Sequence, residues 1–163
     1  MRPIIAALAF AALGACQSAL PAGVVPNAMS LVAVTPGQTL PFGQLARACE
    51  VDRGALGMRI ETADGYELYD SAPGTTAPRT HYITGFSDGC PRQVTGGLAM
   101  FGDMESHAAL MAAGGLPRSR LDDLAAGLGN ARRTVFVTVY RGFGGGEFGD
   151  VLLSGGEVVA AEF

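Results

Sequence analysis

The chain has 163 residues, of which 48% are hydrophobic and 16% charged, and it carries a net charge of -4. That is one domain's worth of chain with enough apolar content for a packed core, which excludes a disordered tether. An acidic balance with no long basic run excludes nucleic acid as the expected partner. Every basic side chain is arginine, and beside inflated alanine and glycine this reads as genomic composition rather than as an anion-recognition surface.

The first element is not part of the domain. Met1-Arg2 is a short positive start, Ile4 to Leu13 is an uncharged apolar run, and Leu13-Gly14-Ala15-Cys16 follows. An apolar anchor and two small residues before a cysteine suit a signal-peptidase pocket. This segment resembles the signal of bacterial lipoproteins. The resemblance covers about a tenth of the chain. It implies cleavage after Ala15, lipid on Cys16 and a membrane anchor through that lipid. The apolar run is about half of what a bilayer crossing needs, so a retained transmembrane helix is not expected. Gln17 stands where an aspartate often marks inner-membrane retention in this class, which implies the outer membrane, facing the periplasm. Residues 16–29 then read as a lipidated cysteine and tether, and 30–163 as one domain.

With Cys16 lipidated, Cys49 and Cys90 are left as an even pair in an oxidising compartment, and a disulfide is expected between them. Ser30 to Thr35 reads as a first strand, with Pro36-Gly37 turning the chain. Phe42 to Cys49 reads as a short helical turn or irregular. Leu56 to Thr62 alternates Leu56, Met58 and Ile60 against polar neighbours, the period of a half-buried strand. Ala63-Asp64-Gly65 turns it into a hairpin with Tyr66 to Tyr69. Ser71 to Pro78 is a loop, and Arg79 to Phe86 another strand.

Arg92 to Phe101 fits either period. Pro91 suits a first helical turn and Gly102 a helix end, and a helix is expected here. Asp103 can cap a helix over Met104 to Ala113, stopped by Gly114-Gly115. Ser119 and Asp122 resemble a capping box before the apolar stripe of Leu121, Leu124, Ala125 and Leu128. Gly129-Asn130 ends that helix. Thr134 to Tyr140 is apolar on both faces, as in a central strand. Phe148 to Leu153 and Glu157 to Ala161 flank Gly155-Gly156, a two-residue hairpin signal. The order gives an α+β domain: a mostly antiparallel sheet with two or three helices inserted between N- and C-terminal strand groups. By element order alone it looks like PAS-like and profilin-like domains.

Candidate chemistry is sparse. Gly85-Phe86-Ser87-Asp88-Gly89 matches G-x-S-x-G between an expected strand and an expected helix, and so resembles the nucleophile motif of α/β-hydrolases. That resemblance makes Ser87 a candidate nucleophile and His107 its base. The chain departs from the family in lacking an alternating β/α pattern. His81 and His107 are the only histidines, and His107 is expected beside Asp103 and Glu105. Two histidines with Asp88 or Asp103 show no zinc-ligand spacing, and no metal or cofactor is expected. Gly-rich 143–148 could carry Phe143 and Phe148 to a partner, and Arg132-Arg133 read as charges capping a helix end.

The leading expectation is a non-enzymatic, lipid-anchored envelope domain that binds a protein or envelope component. A PAS-like small-ligand sensor or carrier is the second reading, and a small envelope hydrolase using Ser87 the third.

Overall fold

The chain is described here from a computed structural model that covers residues 24–26, 32–115, 120–129, 131, 133–142 and 147–163. The signal segment, Cys16 with most of the tether, Ser119, Asn130, Arg132, Phe143 and Gly144 to Gly146 lie outside the described residues.

Two stretches of alternating apolar residues build two sheets. One has the order β1 (Val24–Pro26), β11 (Glu157–Glu162), β10 (Phe148–Ser154), β9 (Val135–Tyr140) and β8 (Leu98–Gly102), all antiparallel. The other has the order β2 (Val32–Ala33), β3 (Leu45–Arg47), β7 (Arg92–Gly96), β6 (Arg79–Thr84), β5 (Tyr66–Asp70) and β4 (Met58–Ala63). It is antiparallel except for the β2–β3 pair. The fold is thus mixed and mostly antiparallel sheet, with two α-helices among the described residues, α1 (Met104–Ala113) and α2 (Arg120–Leu128).

The two sheets face each other across the main core. Tyr66, Leu68, Ile83 and Val94 of one sheet meet Val135, Val137, Val139, Val151 and Leu153 of the other, all buried. The outer face of the six-stranded sheet is covered by 34–56, through Val34, Leu40, Ala48, Val51 and Leu56. The Cys49–Cys90 disulfide ties that covering segment to the entrance of β7. The outer face of the five-stranded sheet is covered by α2, whose Leu121 and Ala125 pack on Phe136, Leu152 and Ala160. Apart from edge strand β4, both sheets thus find apolar cover on their outer faces as well as between them.

Residues 92–101 correct the expected helix: they form β7 and β8, one in each sheet. The Gly96-Gly97 pair is the corner between them. A Cβ on Gly96 would stand 2.6 Å from the Tyr140 carbonyl oxygen, and one on Gly97 would stand 2.9 Å from Gly142 Cα. The Gly97 N–H donates to Tyr140 O at 2.8 Å, locking the corner to the end of β9. Glycine is there for close backbone approach, not as a weak point in a helix.

Two smaller corrections follow. The 42–49 segment contains strand β3 rather than a helical turn, because its backbone pairs with β7. In β4 only the flanking Leu56 is buried, while Met58 is 53% and Ile60 37% exposed. A bulge between Arg59 and Glu61 breaks the alternation of this edge strand. The 66–69, 104–113, 135–140 and 148–161 expectations match β5, α1, β9 and the β10–β11 hairpin, whose turn glycines have φ of 62° and 88°.

Candidate binding groove

Helix α1 begins as its sequence implies. The Asp103 carboxylate accepts the Ser106 N–H at 2.7 Å, and that bond holds the carboxyl below its ordinary range. The helix itself is unusual. Its apolar residues lie all round, yet only His107 and Met111 are buried. Met104 is 47% and Leu110 38% exposed. A helix apolar on every side normally sits in a core; this one lies on a sheet with one side open.

His107 is its polar anchor. The ring stacks on Phe136 of β9 with centroids 4.1 Å apart. Nδ1 is 3.0 Å from Asp122 Oδ1 on α2, and Nε2 is 3.0 Å from Asp150 Oδ2 on β10. The Nδ1 contact is an aligned hydrogen bond; the Nε2 contact is off the ring axis and works as an ion pair. Thr138 Oγ1 donates to the other Asp150 oxygen at 2.7 Å. All five residues are buried. Burial opposes the imidazolium, but Asp150 and Asp122 together outweigh it and hold the His107 value above that of a free histidine. The two carboxylates flank opposite ring nitrogens, so they cannot converge with the ring on one metal ion. Among the described residues no group of three His, Cys, Asp or Glu side chains is placed to hold one.

Between α1 and α2 lies an open groove of about 570 Å³. Met104, Ala108, Met111, Ala112 and Ala126 line it, and among the described residues its ionisable lining is the acids Glu105 and Asp122. The same Asp122 that bonds His107 thus forms part of the groove wall. The shape and lining can take an apolar body, and the charge favours a cationic flank.

The other sequence candidates lie elsewhere. Ser87 donates to the Glu157 carboxylate and, at 3.3 Å, to Gly156 O. Its backbone N–H also bonds Gly156 O. The 85–89 loop is therefore docked on the β10–β11 turn, and strand β7, not a helix, follows it. Gly85 has φ of 95°, and a Cβ there would meet Gly65 O at 2.3 Å, so the motif's first glycine serves packing against the β4–β5 turn. Asp88 holds the Arg92 guanidinium through both oxygens and accepts the Cys90 N–H. Ser87 adjoins Glu157, while His107 adjoins Asp150, four residues along β10 from the Ser154–Glu157 pair. That is roughly 13 Å of strand, and the structure does not bring Ser87 and His107 together.

His81 is fully buried between the sheets, with Nε2 3.8 Å from Asp70 Oδ2. Asp70 is clamped by Arg79, which also donates to Gly97 O at the corner. Burial holds the His81 ring below its ordinary value. Against the carboxyl of Asp70 burial works upward, but the Arg79 guanidinium overrides it and the value ends low. This set supports the sheet corner and opens on none of the grooves.

In the sequence Asp122 read as half of a capping box and Asp150 did not stand out, and His107 was offered only Asp103 and Glu105 as neighbours. One signal was present for Asp150: it is the single charge in the apolar run 148–153. A lone acid in a strand covered on both sides needs a buried partner.

No protein-family model matches this chain, and comparison with curated proteins and with solved structures gives no match. Among the described residues no helix is long and apolar enough to cross a membrane.

Proposed function

We propose that this chain is a lipid-anchored domain of the bacterial envelope, held at the membrane through Cys16, that binds an envelope protein in the groove between α1 and α2. The observation that carries the binding reading is the open apolar groove itself, beside a helix that leaves Met104 and Leu110 uncovered. The occupant it fits is an amphipathic segment of a partner protein with an apolar stripe and basic flanks. The stripe would lie on Met104, Ala108, Met111 and Ala112, and the flanks would face Glu105 and Asp122. Alanines along the wall let a partner backbone come close, and an open trough suits a chain segment better than an enclosed small molecule. The PAS-like carrier reading draws on the same groove, whose volume falls within the range of small-ligand sites.

A fluorescent basic amphipathic peptide titrated into the full-length chain in detergent tests the binding. Saturable anisotropy change is expected, weakened at least about tenfold by Ala112→Arg, which places a like charge in the trough. Binding that is absent, or is indifferent to Ala112→Arg, contradicts the groove as the site. The anchor is tested separately by mass spectrometry of the mature amino terminus, where acyl mass on Cys16 is expected and an unmodified cysteine contradicts it.

A further inference from the structure

Helix α1 is fixed to the fold by two buried side chains, Met111 and the imidazole of His107. The ring bridges three elements: its own helix, α2 through Asp122, and β10 through Asp150. Asp122 is also part of the groove wall. We propose that His107 is a charge-operated latch, which clamps α1 to α2 and to the sheet while the ring is an imidazolium and releases the α1 wall of the groove when the ring is neutral. This rests on the groove as the binding face and adds its regulation.

The geometry gives the latch its direction. With the ring charged, each nitrogen faces a carboxylate oxygen at 3.0 Å in a site that excludes water. With the ring neutral, one nitrogen loses its proton, and the charge that drew the two buried acids to the ring is gone. Met111 and the stacking of the ring on Phe136 then hold the helix without the ionic part of its attachment. Other ionisable groups lie on the elements packed around this set. Tyr140 of β9 adjoins Asp150, and Glu162 of β11 lies opposite it. On α2, Arg120 and Asp123 are exposed; Asp103 and Glu105 at the start of α1 are exposed acids, and β8 carries no ionisable residue. Because the folded ring holds its proton more tightly than a free histidine, the latch is closed at and below the ordinary histidine value. It opens as pH rises through the elevated one.

Amide hydrogen exchange of the full-length chain in detergent, from pH 6 to pH 9.5 and corrected for intrinsic rates, reads the latch without any ligand. Ring ¹⁵N NMR in the same buffers reports the charge of His107. The protection of α1 amides is expected to fall in the interval where the ring titrates, roughly tenfold per pH unit as for a one-proton step. Amides of β9 and β10 keep theirs. Asp122→Asn, which removes one carboxylate and keeps the shape, is expected to move both the ring titration and the loss of protection to lower pH together. Protection of α1 that stays level across the titration overturns the proposal, as does a ring already neutral at pH 6. Failure of the peptide to bind would leave this readout untouched, so the two readings fall separately.

Discussion

His107, Asp122 and Asp150 show what one buried charge set does. Charged groups are rarely buried unless each has partners, and here the imidazole serves two acids at once. Removing it deprives Asp122 and Asp150 of their shared buried partner. We expect His107→Ala to lower stability by about 3–5 kcal/mol, the scale for breaking a buried ionic set by deleting one member, read as a shifted urea midpoint with unchanged slope. Arg79→Ala is expected to fall in the same range of about 3–5 kcal/mol, because Asp70 is 3% exposed and would lose both of its guanidinium bonds. The two histidines have opposite signs in pH. The raised His107 contributes stability that is complete below its unfolded value and lost as pH rises through its folded one. The depressed His81 contributes stability present above its unfolded value and lost as pH falls through its folded one. Urea melts across pH are therefore expected to show His107→Gln flattening the alkaline side and His81→Gln flattening the acid side. Exchange of these two effects contradicts the assignment.

Among the elements, the positions that matter most are where chain crosses chain. Gly85→Ala would combine a φ of 95° with a Cβ 2.3 Å from Gly65 O. We expect a loss of at least about 2 kcal/mol in thermal or urea melts, with Gly89→Ala, which meets open space, costing less. The Cys49–Cys90 bond closes a span of 41 residues, worth roughly 4 kcal/mol by chain entropy. Reduction is expected to loosen the 34–56 cover before the two-sheet core, seen as early exchange of those amides. Where a period, a cap or a turn was strong and local, the elements were legible: the Asp103-capped α1, the α2 stripe, β9 and the glycine-turned β10–β11 hairpin. The 92–101 segment was not, because its apolar spacing fits both periods and only contact with Tyr140 and Gly142 makes its glycines a corner. Met58 and Ile60 misled for a related reason: alternation tells which residues share a face, not whether anything covers that face. The candidate site was half legible. His107 was visible as a rare residue on an expected helix, but its acids come from 15 and 43 positions further on, brought there by topology alone.

At the scale of the whole molecule, a double sheet with cover on both outer faces leaves apolar surface open on α1 and in the groove beside α2, as it does at Met58 and Ile60 of the edge strand. The chain is net acidic, in keeping with the proposed anchor acting through lipid and not through charge. The groove, the uncovered Met104 and Leu110, and the His107 anchor all belong to one helix. Binding and its control would therefore share a single element, and α1 is the part of the fold whose attachment depends most on charge. The most direct measurement uses the chain's own reporters. Met104 and Met111 line the groove, while Met58, on edge strand β4, is not part of its lining. In the full-length chain with ¹³C-methyl-labelled methionine, titration with a basic amphipathic peptide should shift the Met104 and Met111 signals saturably and leave Met58 in place. Shifts confined to Met58, or none at all, would contradict a binding groove between the helices.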